Sequence, residues 1–137
     1  MTAGEDNNGP MVGIVLVSHS SLLADGLAEL ARQMAGPSVE IIATGGGPSG
    51  GLGTDEDGVR NAIRRADRGE GVVVLADLGS SILTARHVLE SRANGHARLV
   101  DAPFVEGAVS AAVASSAGSS IDAVIAAAEG ARGANKL

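Results

Sequence analysis

Three largely apolar runs, each of strand length, most constrain how this chain can fold. They are "VGIVLV" (12–17), "VEIIAT" (39–44) and "GVVVLA" (71–76), and a weaker fourth run, "ARLVD" (97–101), follows them. Runs that are apolar at successive positions are typical of strands buried on both faces of a parallel sheet. The sequence therefore predicts an α/β domain with an open, mainly parallel four-stranded sheet and helices on both faces.

A helical pattern follows the first run. Ser20 or Ser21 is a plausible N-cap, and Gly36-Pro37 stops the pattern. Between these signals, apolar residues at helical spacing define a predicted buried stripe: Leu23, Leu27, Leu30, Ala31 and Met34. The first connection is therefore predicted to be an amphipathic helix.

The later helices also carry start signals. Thr54-x-x-Asp57 resembles a capping box at the start of the second helix, and the third is predicted to begin at Ser80 or Ser81. Two Ala-rich helices follow the fourth apolar run. The predicted order is β-α-β-α-β-α-β-α-α with right-handed crossovers.

Length and composition indicate one globular domain. The 137 residues are 45% hydrophobic, and we expect a domain at 11–129 between disordered segments at 1–10 and 130–137. No apolar run approaches the roughly 18 residues that a membrane span needs, and the start of the chain lacks the pattern of a signal peptide. We therefore expect a cytoplasmic protein.

Several classes of function are disfavoured by composition. The chain has no cysteine, and its three histidines are widely separated, so no metal site is expected. The net charge of -6 disfavours nucleic acid and anionic membranes as partners and favours a basic protein. Phe104 is the only aromatic residue, which leaves almost nothing on which a base, a nicotinamide or a sugar could stack.

Polar residues follow each of the three main apolar runs. Ser18-His19-Ser20-Ser21 follows the first run, the glycine-rich segment 44–58 the second and "ADLGSS" (76–81) the third. Ligands and chemistry in open parallel sheets gather at the carboxyl ends of the strands, where strand order reverses. If the first strand lies between the second and third, these three loops converge.

His19 and Asp77 are the candidate catalytic pair. Asp77 could bond one ring nitrogen of His19, fix its tautomer and leave the other nitrogen as a nucleophile for covalent catalysis. The alternatives are that His19 is a structural histidine and that Asp77 is a turn residue before Gly79. His87 and His96 are assigned no role.

The glycine-rich segment permits two interpretations. Its "GGGPSG" (45–50) satisfies the spacing G-x-G-x-x-G, but it follows the second strand, contains Pro48 and precedes the helix start by several residues. Such glycines allow backbone amides to approach a phosphate or a partner closely, or they form a flexible surface loop.

Three segments together carry a family resemblance: "MVGIVLVSHSSLLADGLAELARQM" (11–34), "GTDEDGVRNAI" (53–63) and "LADLGSSILTARHVLE" (75–90). The chain resembles, from Met11 to about Ala128, the phosphocarrier subunit of the phosphoenolpyruvate-dependent dihydroxyacetone (glycerone) kinase. That subunit is a relative of the mannose-family enzyme IIA domains of the bacterial phosphotransferase system. The resemblance implies a sheet of strand order 2-1-3-4 and a homodimer.

The resemblance also implies roles for residues and partners. His19 would take a phosphoryl group from the histidine-containing phosphocarrier protein and pass it to ADP bound on a second kinase subunit, while a third subunit holds dihydroxyacetone covalently. Asp77 would orient His19. Gly53, Thr54, Ser80 and Ser81 would line the phosphate pocket, with no metal and no cofactor.

Three other functions compete with this one. A transport-type mannose-family enzyme IIA would use the same histidine but deliver phosphate to a sugar-permease subunit. A Rossmann-type enzyme would bind NAD or ATP. A non-catalytic interaction module would not react with phosphoenolpyruvate and the general phosphotransferase proteins at all.

Overall fold

The fold is an open sheet of four parallel strands. A computed structural model describes residues 9–91 and 95–137, so most of the segment expected to be disordered at 1–10 lies outside the described residues. The strands are β1 (Gly13–Ser18), β2 (Ile41–Gly45), β3 (Val72–Ala76) and β4 (Ala97–Leu99). Their order is β2-β1-β3-β4, all parallel, which confirms the predicted fold class and strand order.

In the part of the chain that the structure describes, five α-helices connect and follow the strands. They are α1 (Ser21–Ala35), α2 (Glu56–Ala66), α3 (Gly79–Leu89), α4 (Phe104–Ser116) and α5 (Ile121–Gly130). A 3-10 helix, Ala131–Gly133, continues from α5, so the segment from 130 begins with helical structure where the sequence predicts disorder. Within the described ranges, none of these helices has the length and apolarity to cross a lipid bilayer.

Alternating side chains of β1 enter two separate hydrophobic cores. Ile14 and Leu16 pack on one face with residues of α1, α4 and α5. Val15 and Val17 pack on the other face with residues of α2 and α3. All six residues of β1 are buried, as expected for a central parallel strand that is covered on both faces.

The predicted buried stripe of α1 is wrong at three of its five positions. Leu23, Leu30 and Met34 are between 42% and 59% exposed, whereas Leu27 and Ala31 are buried. The buried face of α1 is Ala24, Leu27, Ala28 and Ala31. Short alanine side chains let α1 lie close to the sheet and to the Ala-rich α4, so the helix turns its larger side chains outward.

Helix starts also differ in detail from the sequence patterns. Ser20 caps α1 as predicted, its hydroxyl accepting a hydrogen bond from Leu23 N. The predicted capping box at Thr54 is wrong, because Asp55 is the N-cap of α2 and accepts from Asp57 N. Helix α3 begins at Gly79, before the predicted serines, and no side chain caps it.

Candidate active site

His19 lies at the junction of β1 and α1. It follows Ser18, the last residue of β1, and precedes Ser20, the N-cap of α1. Its carbonyl oxygen accepts a hydrogen bond of 3.0 Å from Gly53 N, so the loop after β2 is fastened to the same junction. A strand end, a helix cap and a neighbouring loop therefore fix the backbone of His19, while its side chain remains 27% exposed.

Asp77 directly follows β3 and faces His19 across the crevice between β1 and β3. Its Oδ1 accepts from His19 Nδ1 at 2.9 Å and from Leu78 N at 2.7 Å. Its Oδ2 accepts from Ser18 Oγ at 2.7 Å and from His19 N at 3.1 Å. With both oxygens bonded and only 9% of the side chain exposed, the carboxylate is held in one orientation.

The charge of Asp77 fixes the tautomer of His19. Partial burial raises the pKa of Asp77, but hydrogen bonds from Ser18, His19 and Ser81 outweigh that effect and lower the pKa to about 2. At neutral pH the group is therefore a carboxylate, which can only accept hydrogen bonds. His19 Nδ1 must then carry a proton, and in the neutral ring the lone pair is on Nε2.

The low pKa of Asp77 predicts a specific loss of stability in acid. Because the folded-state pKa lies below the ordinary value of 3.8, the carboxylate stabilises the folded state above about pH 4, and this contribution disappears as the pH falls toward 2. We expect the difference in free energy of unfolding between the wild type and Asp77→Asn to shrink by about 2 kcal/mol from pH 5 to pH 2. Urea unfolding of both proteins at several pH values measures this difference. A difference that stays the same from pH 5 to pH 2 would contradict the prediction.

The first turn of α3 contacts the imidazole ring. The hydroxyl of Ser80 hydrogen bonds to His19 Nε2, and Ser81 Oγ lies 3.1 Å from His19 Nδ1. Ser81 is fully buried, whereas Ser80 is exposed. His19 Nε2 therefore lies at the N-terminus of α3, where backbone N–H groups favour an anion.

Gly53 and Thr54 lie beside this centre, but their polar groups bond to other parts of the protein. Gly53 N is engaged by the carbonyl of His19, as described above. Thr54 Oγ1 lies 2.7 Å from Thr84 Oγ1, which ties the glycine-rich loop to α3. Of the four residues predicted to line the pocket, only Ser80 and Ser81 contact the imidazole ring through their side chains.

Glycines let the segments of the site approach one another. A Cβ atom on Gly45, the last residue of β2, would lie 2.7 Å from Ser20 O and 2.9 Å from Ser21 Cα. Gly53 has a φ of +135°, a region that side-chain-bearing residues rarely adopt. Both glycines therefore have steric reasons for their positions, whether or not they contact a ligand.

Two contributors to the site are not predicted from the sequence. Ser18 is fully buried, and its hydroxyl donates a hydrogen bond that orients Asp77. The sequence feature that could indicate this role is a polar residue at the end of an otherwise apolar strand. Thr84 has no such signal, because a threonine in the middle of a helix pattern predicts nothing by itself. His87, to which the sequence assigns no role, pairs with Glu56, so its ring bridges α3 and α2.

The site lies apart from two grooves of the molecule. One groove of about 720 Å³ lies between α3 and β4, and a second of about 690 Å³ lies at the opposite edge of the sheet beside Glu40. Neither His19 nor Asp77 lines either groove. Within 9–91 and 95–137, no three His, Asp or Glu side chains are arranged to hold a metal ion. The arrangement is a partly exposed imidazole ring between a carboxylate and a helix N-terminus.

Comparisons with known proteins place these features in a family. The family model EIIA-man, described as "PTS system fructose IIA component", matches residues 13–125. A phosphoryl donor subunit, DhaM, of the PEP-dependent dihydroxyacetone kinase 2 of Listeria innocua serovar 6a is 38% identical over 118 residues, or 84% of this chain and 94% of the relative. The corresponding DhaM of Escherichia coli K12 is 42% identical over 121 residues, but the match spans only 26% of that relative.

A solved structure resembles the chain over nearly its whole length. The crystal structure of EF1359, a protein of unknown function, has a TM-score of 0.79 and 35% identity. The alignment covers 93% of this chain and 98% of that one. The architecture described above is thus also found in an experimental structure.

Proposed function

Because this chain belongs to the EIIA-man family, we propose that it is the phosphocarrier subunit of a phosphoenolpyruvate-dependent dihydroxyacetone kinase, with His19 as the phosphorylated residue. The observation that carries the proposal is the 2.9 Å contact from His19 Nδ1 to Asp77 Oδ1, which leaves Nε2 as the nucleophile. The related phosphoryl donor subunits named DhaM support the choice of kinase.

The proposed reaction consists of two transfers. In the first, the Nε2 lone pair of His19 forms a bond to phosphorus while the bond from phosphorus to the donor breaks and the donor keeps that electron pair. The imidazole ring gains positive charge as the new bond forms, and the Asp77 carboxylate balances it. In the second, an oxygen of ADP on the kinase subunit attacks phosphorus, and Nε2 recovers its electron pair.

Ser80 and Ser81 are proposed to stabilise the phosphoryl group. Ser80 hydrogen bonds to Nε2 in the unmodified protein, so its hydroxyl must turn away when phosphorus approaches, and it can then donate to a phosphoryl oxygen. The uncapped first turn of α3 offers further N–H donors. Gly53 and Thr54 fit a supporting role, because their bonds to His19 and Thr84 hold the glycine-rich loop at this edge.

Partners and assembly extend the proposal. The donor would be the histidine-containing phosphocarrier protein, and the acceptor ADP bound on the second kinase subunit. A chain with one aromatic residue is suited to this task, because the kinase subunits and not this protein would hold the nucleotide and the sugar. The homodimer and the cytoplasmic location expected from the sequence remain predictions.

Discharge of the phosphorylated protein tests which acceptor is used. On its own, the ³²P-labelled protein should keep its label. When the kinase subunit with bound ADP is added, the label should pass to ADP and appear as labelled ATP. The matched control is the kinase subunit without nucleotide. Discharge only onto membranes that contain a mannose-family permease would instead identify a transport-type enzyme IIA and overturn the assignment to the kinase.

A further inference from the structure

Thr84 forms a side-chain bridge between α3 and the glycine-rich loop that joins β2 to α2. Its Oγ1 lies 2.7 Å from Thr54 Oγ1, which is the distance of a hydrogen bond between two hydroxyl groups. Both residues are partly buried. The proposed reaction leaves Thr84 without a role, although it lies one helical turn from the two serines that contact the imidazole ring of His19.

Thr54 stands between two fixed neighbours. Gly53 N donates a hydrogen bond of 3.0 Å to His19 O, and Asp55 is the N-cap of α2. Helix α2 is itself packed against the sheet through its buried residues, Val59, Ala62, Ile63 and Ala66. The Thr54 side of the bridge is therefore a firm anchor for α3.

The start of α3 has less support of its own. No side chain caps this helix, and it begins with Gly79, whose helix propensity is about 1 kcal/mol below that of alanine. Ser80 and Ser81 follow in the same turn, and from there both hydroxyls contact the ring of His19. A contact from outside the helix, one turn further along, therefore affects how firmly the two serines are held.

Thr84 supplies that contact. It follows Ser80 by four residues, so the two side chains lie on the same side of α3. The contacts then form a closed path around the site. The path starts at His19, whose carbonyl binds Gly53 N, and reaches α3 through the hydroxyls of Thr54 and Thr84. It returns through the hydroxyl of Ser80, which hydrogen bonds to His19 Nε2.

We infer that Thr84 is a positioning residue for the phosphorylation of His19. Its bridge to Thr54 keeps the first turn of α3, and with it Ser80 and Ser81, at the imidazole ring. The inference rests on the proposed function, because it concerns the rate of transfer to Nε2. Hydroxyl groups stabilise a transferring phosphoryl group best when they are already in place as phosphorus approaches. Loss of the bridge should therefore slow the chemical step and leave binding of the donor unchanged.

Thr84→Val tests the bridge, because valine has nearly the same shape as threonine but no hydroxyl group. With the phosphorylated histidine-containing phosphocarrier protein as donor, we expect the maximal single-turnover rate to fall about three- to tenfold. The donor concentration that gives half of the maximal rate should stay within about twofold of the wild type. In the unphosphorylated protein, the ¹⁵N resonance of His19 Nε2 should shift, because its hydrogen bond with Ser80 weakens.

Two variants of α3 serve as matched controls. Thr84→Ser keeps the hydroxyl group and should have nearly the rate and the Nε2 resonance of the wild type. His87→Gln removes a different contact between α3 and α2, three residues further along the helix, and should also leave both measurements unchanged. Together these variants separate loss of the Thr84 hydroxyl from a general loosening of α3.

The double variant Thr54→Val/Thr84→Val shows whether the two hydroxyl groups act as a pair. If Thr84 acts only through its bridge to Thr54, the double variant should be no slower than the slower of the two single variants. Losses that multiply in the double variant would show that the two hydroxyl groups act independently, and they would overturn the bridge as the cause.

The outcomes separate the bridge from the proposed function. An unchanged maximal rate, or an unchanged Nε2 resonance, in Thr84→Val would overturn the inference, even if the variant is less stable toward urea. A loss that appears only as a higher half-saturating donor concentration would also overturn it, because the bridge would then serve donor binding. Failure of the donor to phosphorylate the wild type would instead overturn the proposed function, and the Nε2 resonance would still test the bridge.

Discussion

His19→Gln is expected to abolish phosphorylation of the protein. Incubation with phosphoenolpyruvate and the general phosphotransferase proteins should add one phosphoryl group to the wild type, detected by mass spectrometry and lost in acid because it is bonded to nitrogen. Glutamine has no nitrogen lone pair that can attack phosphorus, since its amide nitrogen is not nucleophilic, although the side chain can still donate a hydrogen bond to Asp77. The expected effect is therefore complete loss of labelling with little change in fold.

The chain supplies its own controls for this experiment. It contains three histidines, and His87→Gln and His96→Gln should both keep the wild-type label. His87 pairs with Glu56 away from Asp77, so its replacement removes an imidazole without touching the site. Label that persists in His19→Gln but disappears in either other variant would show that the assignment of the phosphorylated residue is wrong.

The strands of the fold are predictable because their residues leave little choice. Segment 12–17 has six consecutive non-polar residues, and the structure buries all of 13–18 by giving alternate side chains to two cores. Polar residues at the strand ends and the glycine-rich segments then indicate where the loops lie. The residues alone do not determine the strand order, because periodicity does not say which strand lies beside which. The order that the family resemblance implies is confirmed by the pairing of β1 with both β2 and β3.

The helix faces are less predictable, for a physical reason. In α1 the alanines at 24, 28 and 31 are buried while Leu30 and Met34 are exposed. A sequence pattern ranks positions by hydrophobicity, but close packing between α1, the sheet and α4 selects small side chains at the contact.

The candidate site was predictable in its centre and not in its surroundings. A histidine after β1 and an aspartate after β3 meet once β1 and β3 are neighbours, and the 2.9 Å contact agrees with that expectation. The bonds of Ser18 to Asp77 and of Thr54 to Thr84 depend on side-chain orientations that no spacing encodes. Sequence reasoning therefore finds the candidate reacting groups more readily than the groups that orient them.

Asp77→Asn is expected to slow phosphorylation of His19 by about 100- to 10,000-fold at neutral pH. The amide is neutral, so it cannot balance the positive charge that develops on the imidazole ring during transfer. It can also turn its NH₂ group toward Nδ1, which favours the tautomer with the proton on Nε2 and removes the nucleophilic lone pair. Single-turnover labelling measures the rate, and ¹⁵N spectra of the imidazole report which nitrogen carries the proton.

Ser18→Ala is the graded comparison for that result. It removes the hydrogen bond that Ser18 Oγ donates to Asp77 Oδ2 and the one that it accepts from Ser20 N, but it leaves the carboxylate charge and the contact of Oδ1 with Nδ1. If the less firmly oriented carboxylate stabilises the transition state by about 1 kcal/mol less, the rate of phosphorylation falls about fivefold. The imidazole tautomer should be unchanged. If Asp77→Asn retained a rate within threefold of the wild type, Asp77 would be a structural residue, and the activation of His19 would have to come from the serines of α3. The ordering of the two variants therefore separates the charge of the carboxylate from its orientation.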